Sequence, residues 1–457
     1  MKSNPTPARD RAVVIGASMA GLLAARVLAD HYTEVILVDR DQLTGGHEPR
    51  RGVPQGRHIH SVLGRGDEIL AELFPGIRDD FAAAGAASAR IAGEVRFINA
   101  YGVLPRVEVT TPSICATRPL IEDVVRERVL ADPAVELRDN TDAAGVMVDG
   151  GGRIRGVRLV ARDDHRDLPL SADLVVDASG RSGRSVAWLD GLGHGRPPED
   201  IVHSNMGYAT RRYRLAGSTG RDQFIVVAAR PDRPIGMAAG VVENDSWVVT
   251  LFGYGSHQPS GAEEDFLPQL EAIAPRDLFA AVLGGQPLGP VVTHRTPTSI
   301  RRNYQRMRTF PRGLIVFGDA LCCFNPIYGQ GITVAAQQSL VLRSWLESGS
   351  DDPRVFFRHA APVVRGAWDI VSGADLSIPE VPGDRPLSVR VIGRYMSRLQ
   401  AAAVGDPVVG HAYLRVLNLL DRPTALMRPA IAARVLRPGA AVRALAPTDP
   451  QPTAVGA

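Results

Sequence analysis

The chain has 457 residues, 45 % of them apolar and 22 % charged, enough for a large core and two or three structural units. Its net charge of +3 spreads 52 basic among 49 acidic residues, which leaves no extended nucleic-acid footprint. Three cysteines, Cys115, Cys322 and Cys323, exclude a disulfide framework, and no Cys/His spacing suggests a metal. The polar start "MKSNPTPARDR" lacks a signal-peptide core, and no run reaches 18 apolar residues. A soluble, cytoplasmic protein without transmembrane association is the resulting expectation.

In chain order, "RAVVIGASMAGLLAARVLADHYTEVILVDRD" comes first. Residues 12–15 read as a β-branched strand, Leu22, Leu23, Val27 and Leu28 as one helix face, and "EVILVDR" as a second buried strand ending at Asp39. In this setting Gly16-x-Ser18-x-x-Gly21 reads as a dinucleotide fingerprint with serine at its middle position. Gly16 makes the turn, Gly21 admits close helix packing, and the helix N-terminus offers N–H groups to a diphosphate. Asp39, 23 residues after Gly16, is placed to accept adenosine ribose hydroxyls. A carboxylate there favours an unphosphorylated ribose.

Segments 10–78 and 116–192 are expected to build this cofactor-binding domain, with 79–115 crossing to a substrate domain. The stretch around Gly150–Gly152 alternates as a hairpin-rich excursion, and "DLVVDASG" returns to the main sheet. Asp177 there either ties down a loop or approaches a cofactor. No second fingerprint follows, so a nicotinamide donor would dock transiently or reduced flavin would come from elsewhere. His58 and His60, two residues apart, shape the pocket mouth or meet cofactor phosphates with Arg57; a proton-transfer role is the lesser reading.

Residues 193–305 contain period-two stretches expected to form an antiparallel substrate-domain sheet. Met206, Tyr208, Phe252 and Tyr254, with Phe324 from the next segment, are the candidate substrate-binding residues. In 306–350, "GLIVF" is a short buried strand that Gly318-Asp319 ends. Pro326 and Gly329-Gln330-Gly331 then make a compact turn into a helix. That helix N-terminus would stabilise negative charge on a reduced flavin, Asp319 would accept from a ribityl hydroxyl, and the glycines admit close approach. Cys322 and Cys323 are read as packing residues. Residues 351–440 are expected to be helical, interrupted by "SIPEVPGDRP", and to cover the cleft by packing rather than meet a membrane surface; 441–457 is expected to be a disordered tail.

Taken together, Gly16–Gly21, "DASG" at 177–180 and "GDALCCFNPIYGQG" from Gly318 resemble the flavin-dependent monooxygenases related to para-hydroxybenzoate hydroxylase. "RRGVPQGRHIHSVLGRG", residues 50–66, is similar to the squalene-epoxidase-like enzymes that epoxidise polyether-antibiotic polyenes. The resemblance implies an α/β fold: a Rossmann-like FAD-binding domain, an inserted mainly antiparallel substrate domain and C-terminal helices. It implies noncovalent FAD, reduced by NADPH, NADH or a partner flavin reductase, and oxygen transfer from a flavin C4a-hydroperoxide to a hydrophobic polyene or polyketide-like intermediate. Arg118 resembles the family arginine near the flavin, Arg40 follows the ribose-binding carboxylate, and Gly180 belongs to the middle motif associated with FAD and NADPH. Related halogenases carry a "WxWxIP" signature that is missing here. Decalin-forming flavoprotein cyclases, which need not use the flavin for oxidation, are the alternative. No catalytic acid or base is assigned from the sequence.

Overall fold

The computed structural model describes residues 9–43, 49–50, 52–108, 111–217, 219–385 and 387–437. The tail expected over 441–457 lies outside them. The fold is mixed α/β, and its centre is a five-stranded parallel sheet. The strand order across it is Leu314–Val316, Leu174–Asp177, Arg9–Ile15, Tyr32–Val38 and Val135–Arg138. These strands are short, apolar and covered on both faces, as a parallel sheet with helical crossovers requires. The outermost pairing brings Leu314 beside Val175, and Val175 lies beside Val13. Residues three hundred positions apart thus become close neighbours.

Two helices pack against each other beside this sheet. Met19–Ala29 follows the first strand and Gly331–Glu347 follows the last. Between the strands the chain makes a three-stranded antiparallel excursion, Thr141–Val148, Ile154–Ala161 and Asp167–Ser171.

An eight-stranded sheet forms the second layer, antiparallel except where Val95–Asn99 runs parallel to Phe224–Val227. Its period of two sorts side chains cleanly. Val249 and Leu251 point into a separate core with Phe266, Leu270 and Leu278 of two covering helices. Thr250, Phe252 and Tyr254 point the other way, into the cavity described below. The long Pro353–Asp375 helix then leads to Leu387–Gly405, Pro407–Leu417 and Pro429–Val435. These C-terminal helices share a third core with Ile91 and Leu104. Arg385 fixes the approach, donating to the carbonyls of Leu376 (2.9 Å), Ile378 (2.9 Å) and Val381 (2.7 Å).

Candidate functional site

One cavity of about 1790 Å³ lies between the parallel sheet, the inner face of the large sheet and the C-terminal helices. Gly16 and Gly331 both line it, so the two glycine turns share one chamber. Their proximity has a direct cause. Gly318 turns at φ +65°, and a Cβ there would sit 2.4 Å from Ala20 Cβ on the first helix.

At the proximal end, Gly16 adopts φ +104°, and a Cβ on it would strike the Ala178 carbonyl oxygen at 2.4 Å. A Cβ on Gly21 would stand 1.7 Å from the Gly16 carbonyl oxygen, so helix and turn can meet only through glycine. Gly21 itself is buried behind the turn and has no surface on the cavity. Asp39 accepts from the Ala17 N–H (2.7 Å) and the Asp41 N–H (2.9 Å), and Arg50 Nη1 lies 3.2 Å from both of its oxygens. Ser18 donates to Glu122 Oε1 at 2.5 Å and accepts from Arg118 Nη2 at 2.9 Å. Its hydroxyl is therefore engaged with protein. Burial would push the Glu122 carboxyl up, but Arg118 (2.7 Å) and Arg50 (3.0 Å) outweigh it and hold it at about 2. Arg40 and Arg118 line the cavity.

The middle motif divides. Asp177 is fully buried and has no surface on the cavity. One oxygen accepts from Ser179 N–H (3.0 Å) and Oγ (2.5 Å), the other from Ser185 N–H (2.7 Å) and Oγ (2.6 Å). With both oxygens committed it ties down the loop, and its expected contact with a cofactor is corrected to a supporting place. Gly180, at φ +77°, lines the chamber.

At the distal end, Asp319 lies deep in the molecule with its remaining surface on the cavity. No donor among the described residues reaches its carboxylate, and burial raises its pKa despite Arg118 and Arg181 nearby. Pro326, Gly329 (φ +63°) and Gly331 line the chamber. The first intrahelical bond is Val334 N–H to Gln330 O (2.9 Å), which leaves the N–H groups of residues 331–333 without helical acceptors. Gln330 Oε1 is buried without a donor. Cys322 and Cys323 are buried free thiols, Cys323 pushed up to about 12 by burial, so both pack and neither is a ready nucleophile.

On the sheet side Tyr208, Phe252, Tyr254 and Phe324 line the cavity. Met206 does not: it begins its strand wholly covered within the main core, so its expected substrate contact is corrected to packing. His58 is held at about 3 by burial and by His294, His60 and Arg57, and shares its Nδ1 with Thr210 Oγ1 at 2.7 Å. His60, at about 4, is lowered chiefly by burial. Both line the cavity, whereas Arg57 is exposed outside it.

A cluster absent from the sequence reading stands behind this wall. Asp375, the last residue of its helix, is fully buried and accepts at a single oxygen from Tyr254 OH (2.9 Å), Tyr328 OH (2.9 Å) and Asn325 Nδ2 (3.0 Å). Tyr208 OH donates to Asn325 Oδ1 at 2.6 Å. The other Asp375 oxygen has no partner. Burial without a neighbouring cation pushes this carboxyl up to about 6.

The residues fit a flavin dinucleotide: a glycine cradle and free helix N–H groups at each end, an unengaged carboxylate at Asp319, and room for one extended molecule and more. Among the described residues no group of three His, Cys, Asp or Glu is arranged to hold a metal ion, and no helix is long and apolar enough to cross a membrane.

Residues 12–193 match the FAD dependent oxidoreductase family, which supports FAD as the cofactor and a flavin-dependent oxidoreductase as the class. The chain is also 32 % identical over 435 residues to protein Rv3254 of Mycobacterium tuberculosis, covering 90 % of each, and belongs to the same family as that protein. Among solved structures it is similar to the flavin-dependent brominase Bmp2 (TM-score 0.67, 15 % identity, 89 % of this chain and 92 % of that one). p-Nitrophenol 4-monooxygenase PnpA of Pseudomonas putida DLL-E4 gives TM-score 0.62 at 16 % identity, covering 90 % and 99 %. PqsL of Pseudomonas aeruginosa, solved with 2-aminobenzoylacetate, gives 0.62 at 15 %, covering 84 % and 99 %. At these identities the likeness is one of fold.

Proposed function

We propose that the protein is an FAD-dependent monooxygenase that inserts one oxygen atom into a hydrophobic natural-product intermediate, by alkene epoxidation or hydroxylation. The observation that carries this reading is the single chamber with cofactor anchors at one end and an apolar sheet at the other. Its volume of about 1790 Å³ exceeds the roughly 300–1,000 Å³ of an ordinary ligand pocket, leaving space for a cofactor and an organic substrate together. Bound FAD, once reduced by NADPH, NADH or a partner reductase, would supply the electrons with which oxygen is activated.

In this reading Gly16 and Gly21 set the turn, with Ser18 held aside by Glu122, so that the first helix presents its N–H groups to the diphosphate. Asp39 accepts the ribose hydroxyls, with Arg40 beside it. Asp319 accepts a ribityl hydroxyl, Gly180 and Arg118 border the ring system, and Pro326, Gly329 and Gly331 bring the second helix N-terminus to the negative side of the flavin. Tyr208, Phe252, Tyr254 and Phe324 orient the substrate and exclude water. Asp375 holds the hydroxyls of Tyr254 and Tyr328 in place and can take up a proton near neutral pH.

The test is product mass with isotopically labelled oxygen, using the FAD-loaded protein, a nicotinamide donor with or without a flavin reductase, and candidate polyene or polyketide intermediates. Incorporation of one labelled atom is expected. A product of unchanged mass formed under strict anaerobiosis would overturn the proposal in favour of a non-redox cyclase.

A further inference from the structure

Residues of the Leu387–Gly405 helix and the Pro423–Met427 turn line the cavity and also reach the outer surface. Residues 387–437 contain eight arginines, no lysine and two aspartates, an excess of positive charge greater than the +3 of the whole chain. Both aspartates are already paired, Asp421 with Arg415 (2.7 Å) and Asp406 with Arg434 (2.8 Å). The other six arginines are exposed and make no ion pair among the described residues.

Three of them, Arg390, Arg394 and Arg398, recur every four residues along the Leu387–Gly405 helix and share its outer face. Leu387 (67 % exposed) and Val391 (56 %) stand on that same face. Ile392 and, from the neighbouring Pro423–Met427 turn, Met427 are also exposed. Val391, Ile392 and Met427 line the cavity as well, so apolar side chains of this region reach both the outer surface and the chamber.

We propose that this face docks on an anionic lipid bilayer, with the apolar side chains entering the headgroup boundary and the arginines meeting phosphates. Interfacial helices bind through such a combination of apolar insertion and cationic attraction. An acidic protein would answer the arginines but would leave protruding leucine, valine and methionine without a matching hollow. A bilayer accepts both at once. The docking stands on the surface alone; its use as an entry route for an apolar substrate rests on the oxygenase reading above.

The experiment uses the full FAD-loaded chain and sedimentation with vesicles of phosphatidylcholine alone or mixed with phosphatidylglycerol, without substrate. Binding to the mixed vesicles, weak binding to the neutral ones and release by high salt are expected. R390E/R394E/R398E should lower partitioning by at least about 100-fold and L387S by about 5-fold, while flavin content and melting temperature stay at parent values. Equal binding to both vesicle types, no binding to either, or an unaffected triple variant would overturn the proposal. Capture of an acidic carrier-type protein without vesicle binding would assign the face to a protein partner and overturn it too. Oxygen incorporation does not enter this measurement, so the docking and the oxygenase readings fail separately.

Discussion

Glu122 and Asp375 are both almost wholly buried carboxyls beside the same chamber, yet their acidities move in opposite directions. Glu122, beside the Gly16 turn, is pinned between two guanidinium groups and held at about 2. Asp375, behind the large sheet's face of the chamber, receives three neutral donors on one oxygen and is pushed up to about 6. Burial is common to the two; the neighbouring cations decide the sign. The Glu122 wall is thus a fixed ionic frame, and the Asp375 wall a network of neutral donors around one carboxyl.

The largest test of that contrast is Glu122→Gln. It strips the buried Arg118 of its carboxylate partner, while Arg50 keeps Asp39 and Asp41, and should cost about 3 kcal/mol at pH 7, read from urea unfolding. An unchanged midpoint would break the ionic-frame description. Next comes acidification. His58 and His60 are held neutral in the fold, at about 3 and about 4, against 6.5 when unfolded. The unfolded chain therefore binds two more protons below pH 6.5, and stability should fall by up to about 2.7 kcal/mol per pH unit down to about pH 4. His58→Asn should halve that slope in thermal melts.

Asp375 works in the opposite sense. Its raised pKa means that stability is lost as pH rises from 3.8 through about 6, by about 1.4 kcal/mol per unit. Asp375→Asn should remove this contribution, seen as the difference between variant and parent unfolding energies from pH 4 to 6; a constant difference would contradict it. The smallest effect belongs to Tyr328→Phe, which deletes one of the three donors. It should cost about 1 kcal/mol and move the Asp375 titration further up.

How much was legible in the sequence follows the same division. The strands at 12–15 and 313–317, the glycine turns and the helix from Gly331 are local: an apolar run, a glycine and a helical period lie within a few residues of one another. Asp39 and Asp319 could be picked out because each ends such a strand. The Asp375 cluster could not, since it joins residues 254, 325, 328 and 375 from three elements that meet only in the folded molecule. Met206 packs in the core although it shares a strand with Tyr208, because strand alternation gives a face but not how far the cavity extends along it. Asp177 shows the reverse case: its place at a strand end allows a loop tie or a cofactor approach, and its contacts with Ser179 and Ser185 are those of a loop tie. The exposed side of the Leu387–Gly405 helix was likewise hidden, because composition does not say which apolar residues remain outside.

The pairing of Leu314 with Val175 has a consequence for synthesis. Gly16 leaves the ribosome early, but the loop that completes its chamber is more than 300 residues behind. At about 5–20 residues per second, the half-built cradle waits on the order of 15–60 s for its other wall. Until then the edge of the Leu174–Asp177 strand that Leu314–Val316 will cover stays unpaired.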